Sequence, residues 1–218
     1  MTVLSTKKLE TNQRELLLNA GINFVDYDAI TIKPLSFDIP SRLDHVIVTS
    51  QNSVRQLIRC SINFQESVFY CVGSKTSALL KKYNCEIALA AENSAQLGKL
   101  IVEDYNTLAF TYFCGKQRRD ELPTILKKHN ISCNEIPVYE THHNEKSFDR
   151  AFDGILFYSP SGVSAFAKAN PTSTTAFCIG NTTAKEANTY FNNVIISNAS
   201  TIESTIAKVV TTLKKSSI

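Results

Sequence analysis

Val46-Ile47-Val48-Thr49-Ser50-Gln51-Asn52-Ser53-Val54 returns 109 positions later as Ile155-Leu156-Phe157-Tyr158-Ser159-Pro160-Ser161-Gly162-Val163. Each copy is an apolar run that ends in a small hydroxyl residue and opens a helix. A second pair follows in the same order. Cys71-Val72-Gly73-Ser74-Lys75-Thr76 returns as Cys178-Ile179-Gly180-Asn181-Thr182-Thr183, with Gly180 standing 107 positions after Gly73. A period this long is too large for a solenoid repeat and suits a duplicated domain. Two similar α/β units are expected, with a ligand cleft between them.

Around these repeats the chain alternates strand and helix patterns, the signature of parallel sheets covered by helices. Val3-Leu4-Ser5 reads as a first strand. Asn12–Ala20 reads as a helix with Leu16, Leu17 and Ala20 on one face and Gly21 as its stop. Lys7, Leu16 and Ile22 match Lys116, Ile125 and Ile131 at the same offset of 109, so the repeat reaches the front of the chain. Pattern alone leaves two arrangements open. The halves are tandem, meeting near Asn106, or the opening strand-helix-strand belongs to the last domain. Linkers are expected at Lys33–Pro40 and Tyr139–Asn144, where proline and polar residues interrupt the periodicity.

Composition excludes several classes. The 218 residues carry a net charge of +3 with no dense basic run, so nucleic acid is not an expected partner. The first fifteen residues lack the apolar stretch of a signal peptide, and no apolar run reaches the roughly 20 residues of a membrane span. A cytoplasmic protein is expected. The six cysteines form no C-x-x-C pair and read as buried reduced thiols; His142-His143 reads as exposed linker. With neither metal-ligand spacing nor G-x-G-x-x-G, no metal and no nucleotide cofactor is expected.

The repeated strand ends carry the chemistry. Ser50, Thr76, Ser159 and Thr183, with Ser161, Asn181 and Thr182 beside them, stand where free helix N–H groups favour anions. Each alone is explained by helix capping; the duplication points to a ligand with several carboxylates or phosphates. Lys116-Gln117-Arg118-Arg119 follows another strand end, and a guanidinium such as Arg119 suits a carboxylate, although a solvated helix start explains it equally. Asp120 reads as a helix cap. Tyr139, between the two units, is the one candidate proton donor, with an aromatic prop as the competing reading.

Val138-Tyr139-Glu140-Thr141, Phe157-Tyr158-Ser159-Pro160-Ser161-Gly162-Val163 and Ile179-Gly180-Asn181-Thr182-Thr183-Ala184, with their weaker twins near Ser50 and Thr76, resemble the uroporphyrinogen-III synthase family over essentially the whole chain. The resemblance implies two parallel-sheet α/β domains joined by a two-stranded linker, 1–35 plus 141–218 as one and 36–140 inserted as the other. It implies a monomer, without cofactor, that closes hydroxymethylbilane to uroporphyrinogen III through an azafulvene and a spiro intermediate, losing water and inverting ring D. Tyr139 would then assist the leaving hydroxyl, while Thr183, Ser159 and Thr76 bind carboxylates. The chain departs from the family in two places: Ser5-Thr6-Lys7 stands where Thr-Arg-Pro is common, and Gln51 where Pro is common. The alternative reading is a non-catalytic two-domain binding module for an anionic metabolite.

Overall fold

The structure, a computed structural model, describes residues 1–60, 64 and 66–215. It divides into two compact units, Met1–Thr31 with His142–Ile218, and Ile32–Thr141. The first unit is built from β1 (Thr2–Ser5), α1 (Thr11–Leu18), β2 (Asn23–Asp26), β9 (Gly154–Phe157), α6 (Pro160–Ala167), β10 (Ala176–Cys178), α7 (Asn181–Ala187), β11 (Val194–Ile196) and α8 (Ile202–Lys215). The second holds β4 (His45–Val48), α2 (Gln51–Arg59), β5 (Val68–Val72), α3 (Ser74–Lys82), β6 (Glu86–Ala91), α4 (Ser94–Asp104), β7 (Phe110–Gly115) and α5 (Glu121–Lys128). The chain passes between units within β3 (Ile30–Pro34) and β8 (Cys133–His143), which are neighbours in one sheet.

Both units are parallel-sheet α/β folds, as the alternating pattern predicts. The first sheet has the order β11-β10-β9-β1-β2 and the second β3-β8-β7-β4-β5-β6. Reading the second from its far edge gives β6-β5-β4-β7-β8, the same order once β9 is matched to β4 and β1 to β7. β1 pairs in parallel with β9, Leu4 opposite Ile155, so the opening strand completes the sheet of the C-terminal residues.

Strand alternation sends side chains to both covered faces. In the first unit Leu4, Ile155, Phe157 and Cys178 meet Val163, Phe166 and Ala184 of α6 and α7. On the other face Val3, Leu156 and Phe177 meet Leu17 of α1 and Ile206 and Val209 of α8. The second unit repeats the plan. Val46, Val48, Phe69 and Cys71 pack on Val54, Leu57 and Leu80, while Ile47, Tyr70 and Tyr112 pack on Leu97, Ile101, Leu122 and Leu126. Buried side chains fall at equivalent places in the repeat, Leu17 with Leu126 and Val54 with Val163, so the duplication extends to the cores.

Several expectations are corrected. Leu16 is 45% exposed, and Gln13 takes its place on the buried face of α1. Gln13 is tolerated there because its Oε1 accepts from Glu10 N at 3.1 Å and its Nε2 donates to Glu203 Oε1 at 2.6 Å. Residues 139–143 are strand rather than linker loop, and this puts His142 and His143 in β8. Polar side chains there mislead a pattern reading, because the backbone is paired whatever the side chains are. Asp120 makes no capping bond; its carboxylate accepts from Arg118 instead. Cys60 is exposed.

Candidate functional site

In the second unit, the residues singled out above stand on β8 or directly after β4, β5 and β7. Ser50 follows β4 in an extended conformation (φ −146°, ψ 139°), and its Oγ accepts from Asn52 N at 3.1 Å. That bond satisfies one of the free amides at the start of α2. Thr49 Oγ1 and Tyr112 Oη lie 2.8 Å apart, and burial pushes the Tyr112 phenol up to about 12. Thr76 is the third residue of α3 and is 5% exposed; its N–H donates to Gly73 O at 3.1 Å.

Tyr139 sits half-buried in β8, with its phenol close enough to the side chains of Ser50 and Asn52 to feel both. Burial raises the phenol above its ordinary value of 10.0, and the neighbouring Ser50 and Asn52 side chains only partly oppose this. The hydroxyl is therefore a protonated donor at neutral pH, placed beside the N-terminus of α2.

Ser53, the third residue of α2, is fully buried, and its hydroxyl has no hydrogen-bond partner. Its counterpart in the other unit is Gly162. A buried unpaired hydroxyl costs about 1–3 kcal/mol. Ser53→Ala should therefore raise the unfolding free energy by about 1 kcal/mol, read as a higher urea midpoint at unchanged slope. A lower midpoint would mean that the hydroxyl is satisfied.

The first unit repeats the arrangement with different partners. Ser159 caps α6 in an extended conformation (φ −160°), its Oγ accepting from Gly162 N at 3.1 Å, with Pro160 in the first turn. Thr6 is 5% exposed and donates its hydroxyl to Leu156 O at 2.7 Å. A Cβ at Gly162 would stand 3.3 Å from Ser159 Oγ and 3.6 Å from Thr6 Oγ1, so Thr6 and Ser159 line one spot. Ser161 is half-buried; Asn181 and Thr182 are exposed at the start of α7; Thr183 behind them is 3% exposed. Thr183 and Thr76 thus take the same buried place in the repeat. Tyr158 Oη accepts from Ser5 Oγ at 3.2 Å.

The basic stretch after β7 is mostly committed. Arg118 is bound by Glu135 and Asp120, and Lys116 lies 3.5 Å from Glu140. Gln117 Oε1 accepts from Thr141 N at 2.9 Å. Arg119 is exposed. The motif pattern did not single out Gly115, Ser53, Asn52 or Thr6. For Thr6 the signal was its alignment with Gly115, one residue before the matched pair Lys7 and Lys116.

Among the described residues no cluster of three His, Cys, Asp or Glu side chains could hold a metal ion. Burial pushes the thiols of Cys114 to about 11 and of Cys133 and Cys178 to about 12, which makes them poor nucleophiles. Open cavities of about 620 and 690 Å³ in the second unit and 420 Å³ in the first are lined by residues other than Tyr139 and the repeated hydroxyls. Each unit offers neutral donors on helix N-termini, and the second adds the protonated phenol of Tyr139: groups that can grip carboxylates and give up a proton.

The family described as uroporphyrinogen-III synthase HemD matches residues 12–207 of the chain. No curated protein matches it. Among solved structures, the uroporphyrinogen-III synthetase of Helicobacter pylori 26695 is similar at TM-score 0.72 and 18% identity, over 97% of this chain and 99% of that one. A mutant uroporphyrinogen III synthase of Thermus thermophilus is similar at TM-score 0.72 and 13% identity, over 99% of each chain. The wild-type Thermus enzyme in another crystal form gives TM-score 0.52 at 14% identity, over 100% of each chain. At these identities the structures speak to the fold, and the family match speaks to the chain's kinship.

Proposed function

The chain belongs to the uroporphyrinogen-III synthase family, the cyclizing lyases of tetrapyrrole biosynthesis that convert hydroxymethylbilane to uroporphyrinogen III, and from that premise we propose that Tyr139 is its proton donor and that the duplicated strand ends hold the substrate's carboxylates. The observation that carries the proposal is the Tyr139 hydroxyl, raised by burial above its ordinary value and lying beside Ser50 and Asn52 at a helix N-terminus.

The substrate bears acetate and propionate groups on every ring, and neutral donors at helix N-termini suit them. Ser50 and Thr76 in one unit, and Ser159, Ser161, Asn181, Thr182 and Thr183 in the other, are the residues assigned to substrate carboxylates. Arg119 adds an exposed guanidinium. Tyr139 donates toward the terminal hydroxyl as the C–O bond breaks. Water leaves with that proton, and the azafulvene remains protonated at its ring nitrogen, a cation opposite the phenolate. After ring closure through the spiro intermediate, the proton lost as the last pyrrole becomes aromatic returns to the phenolate, so the step balances. Most of the rate comes from holding the flexible chain in the geometry that inverts ring D.

The reading carries with it a monomer acting in the cytoplasm, without a nucleic-acid partner. No helix among the described residues is long and apolar enough to cross a membrane.

Thr76→Ala and Thr183→Ala, one in each unit, test the carboxylate assignment. Each should raise KM about tenfold with kcat little changed, since a hydrogen bond to a charged group is worth about 1.5–3 kcal/mol. Variants that melt earlier yet keep the wild-type KM would reduce both threonines to buried helix-entry residues.

A further inference from the structure

Strands β7 and β8 run in step from Phe110 opposite Cys133 to Cys114 opposite Pro137, and then the register breaks. Gly115 pairs with Tyr139, leaving Val138 as an extra residue. Because side chains alternate with period two, a one-residue bulge turns the next side chain to the opposite face. Val138 is fully buried in the cluster of Val48 and Phe113, so the bulge is anchored in the core. Lys116 N donates to Tyr139 O at 2.8 Å and fixes the strand directly after it.

The redirected ring lies over Gly115. A Cβ at that position would stand 2.7 Å from Tyr139 Cζ and 2.8 Å from its Cε2 and Oη, closer than real Cβ atoms come. Backbone freedom is not what this glycine supplies, because the glycines with positive φ are Gly21 and Gly73. The position uses only the missing side chain. The duplicated unit provides an internal control. There the paired residues run from Thr2 opposite Asn23 to Ser5 opposite Asp26, and Ala29 N then donates to Thr6 O at 3.0 Å, so the register slips at the same point. The residue equivalent to Gly115 is Thr6, whose hydroxyl is spent on Leu156 O. The bare glycine is therefore the departure from the shared plan of the two units, and it stands against the one residue read as the proton donor.

We propose that the Val138 bulge and the bare Cα of Gly115 act together to aim the Tyr139 hydroxyl at the N-terminus of α2, which makes Gly115 a positioning residue for the reaction. The inference rests on the reading of Tyr139 as donor for its effect on turnover, but not for its effect on the ring. In Gly115→Ala the ring must move away from the added methyl group. With ¹³C-labelled tyrosine and the Tyr139 resonance assigned by its loss in Tyr139→Phe, wild-type Tyr139 should titrate above 10.0. In Gly115→Ala the resonance should shift and its titration fall back toward that value. Turnover should fall to the level of Tyr139→Phe, about 10²-fold, with KM little changed, and Gly115→Ala should cause no further loss in the Tyr139→Phe background. An unmoved Tyr139 resonance, or losses that add in the double variant, would overturn the proposal. A fully active Tyr139→Phe with a shifted resonance in Gly115→Ala would remove the donor role and leave the aiming device standing. Should Gly115→Ala fail to fold, Gly115→Ala/Tyr139→Ala must fold as well as Tyr139→Ala, since the clash is gone; its failure would assign Gly115 another task and overturn the inference.

Discussion

Tyr139→Phe should lower kcat for closure of hydroxymethylbilane about 10²-fold while leaving KM nearly unchanged. The substitution removes one oxygen and keeps the ring over Gly115, so the strand, its bulge and the start of α2 stay as they are. Positioned proton donors contribute about 10²–10⁴-fold, and the lower end applies because the substrate already loses its hydroxyl readily. The wild-type phenol, raised by burial, remains protonated through the neutral range. Ionisation of the donor should therefore not limit kcat between about pH 6 and pH 9. The check is steady-state kinetics of both proteins on fresh substrate, corrected for spontaneous closure. Unchanged kcat would make Tyr139 an aromatic prop.

Leu17→Ala should destabilise the protein by about 2–5 kcal/mol. Leu17 is fully buried in one cluster with Phe177, Ile206 and Val209, which lie near the other end of the chain. The lost methyl groups leave a cavity whose walls are β10 and α8, and a packed interior collapses into such a gap only in part. Leu16→Ala, one residue earlier, removes a side chain that is 45% exposed and should cost well under 1 kcal/mol. Urea denaturation of the pair measures the contrast. Equal midpoints would show that α1 is not docked on residues of the C-terminal segment.

The strand and helix alternation was legible because parallel strands buried on both faces are nearly continuous apolar runs, as in Val68–Val72 and Gly154–Phe157. The duplication was legible because the same turn chemistry, Ser50 with Ser159 and Gly73 with Gly180, had to be written twice. Helix faces were read less well where a polar residue found buried partners. Gln13 is buried because Glu10 and Glu203 satisfy its amide, and single-sequence periodicity cannot see Glu203 across 190 positions. The opening strand's place beside β9 left no local trace either, since strand order is a tertiary fact.

For the site, the hydroxyl residues at strand ends were visible as types, but their burial was not. Thr76 and Thr183 lie under the first turns of their helices, whereas Asn181 and Thr182 face solvent. The role of Gly115 depended on a register break between two strands, and a one-residue bulge leaves no signal in composition or period. Arg118 and Arg119 are indistinguishable in sequence; Glu135 and Asp120 bind the first.

The most direct test is the isomer made from freshly prepared hydroxymethylbilane. The purified protein should yield uroporphyrinogen III in large excess over type I, at a rate proportional to protein concentration and well above spontaneous closure. A protein that binds the linear tetrapyrrole yet leaves the product as type I, formed at the uncatalysed rate, would contradict the assignment and identify a binding module.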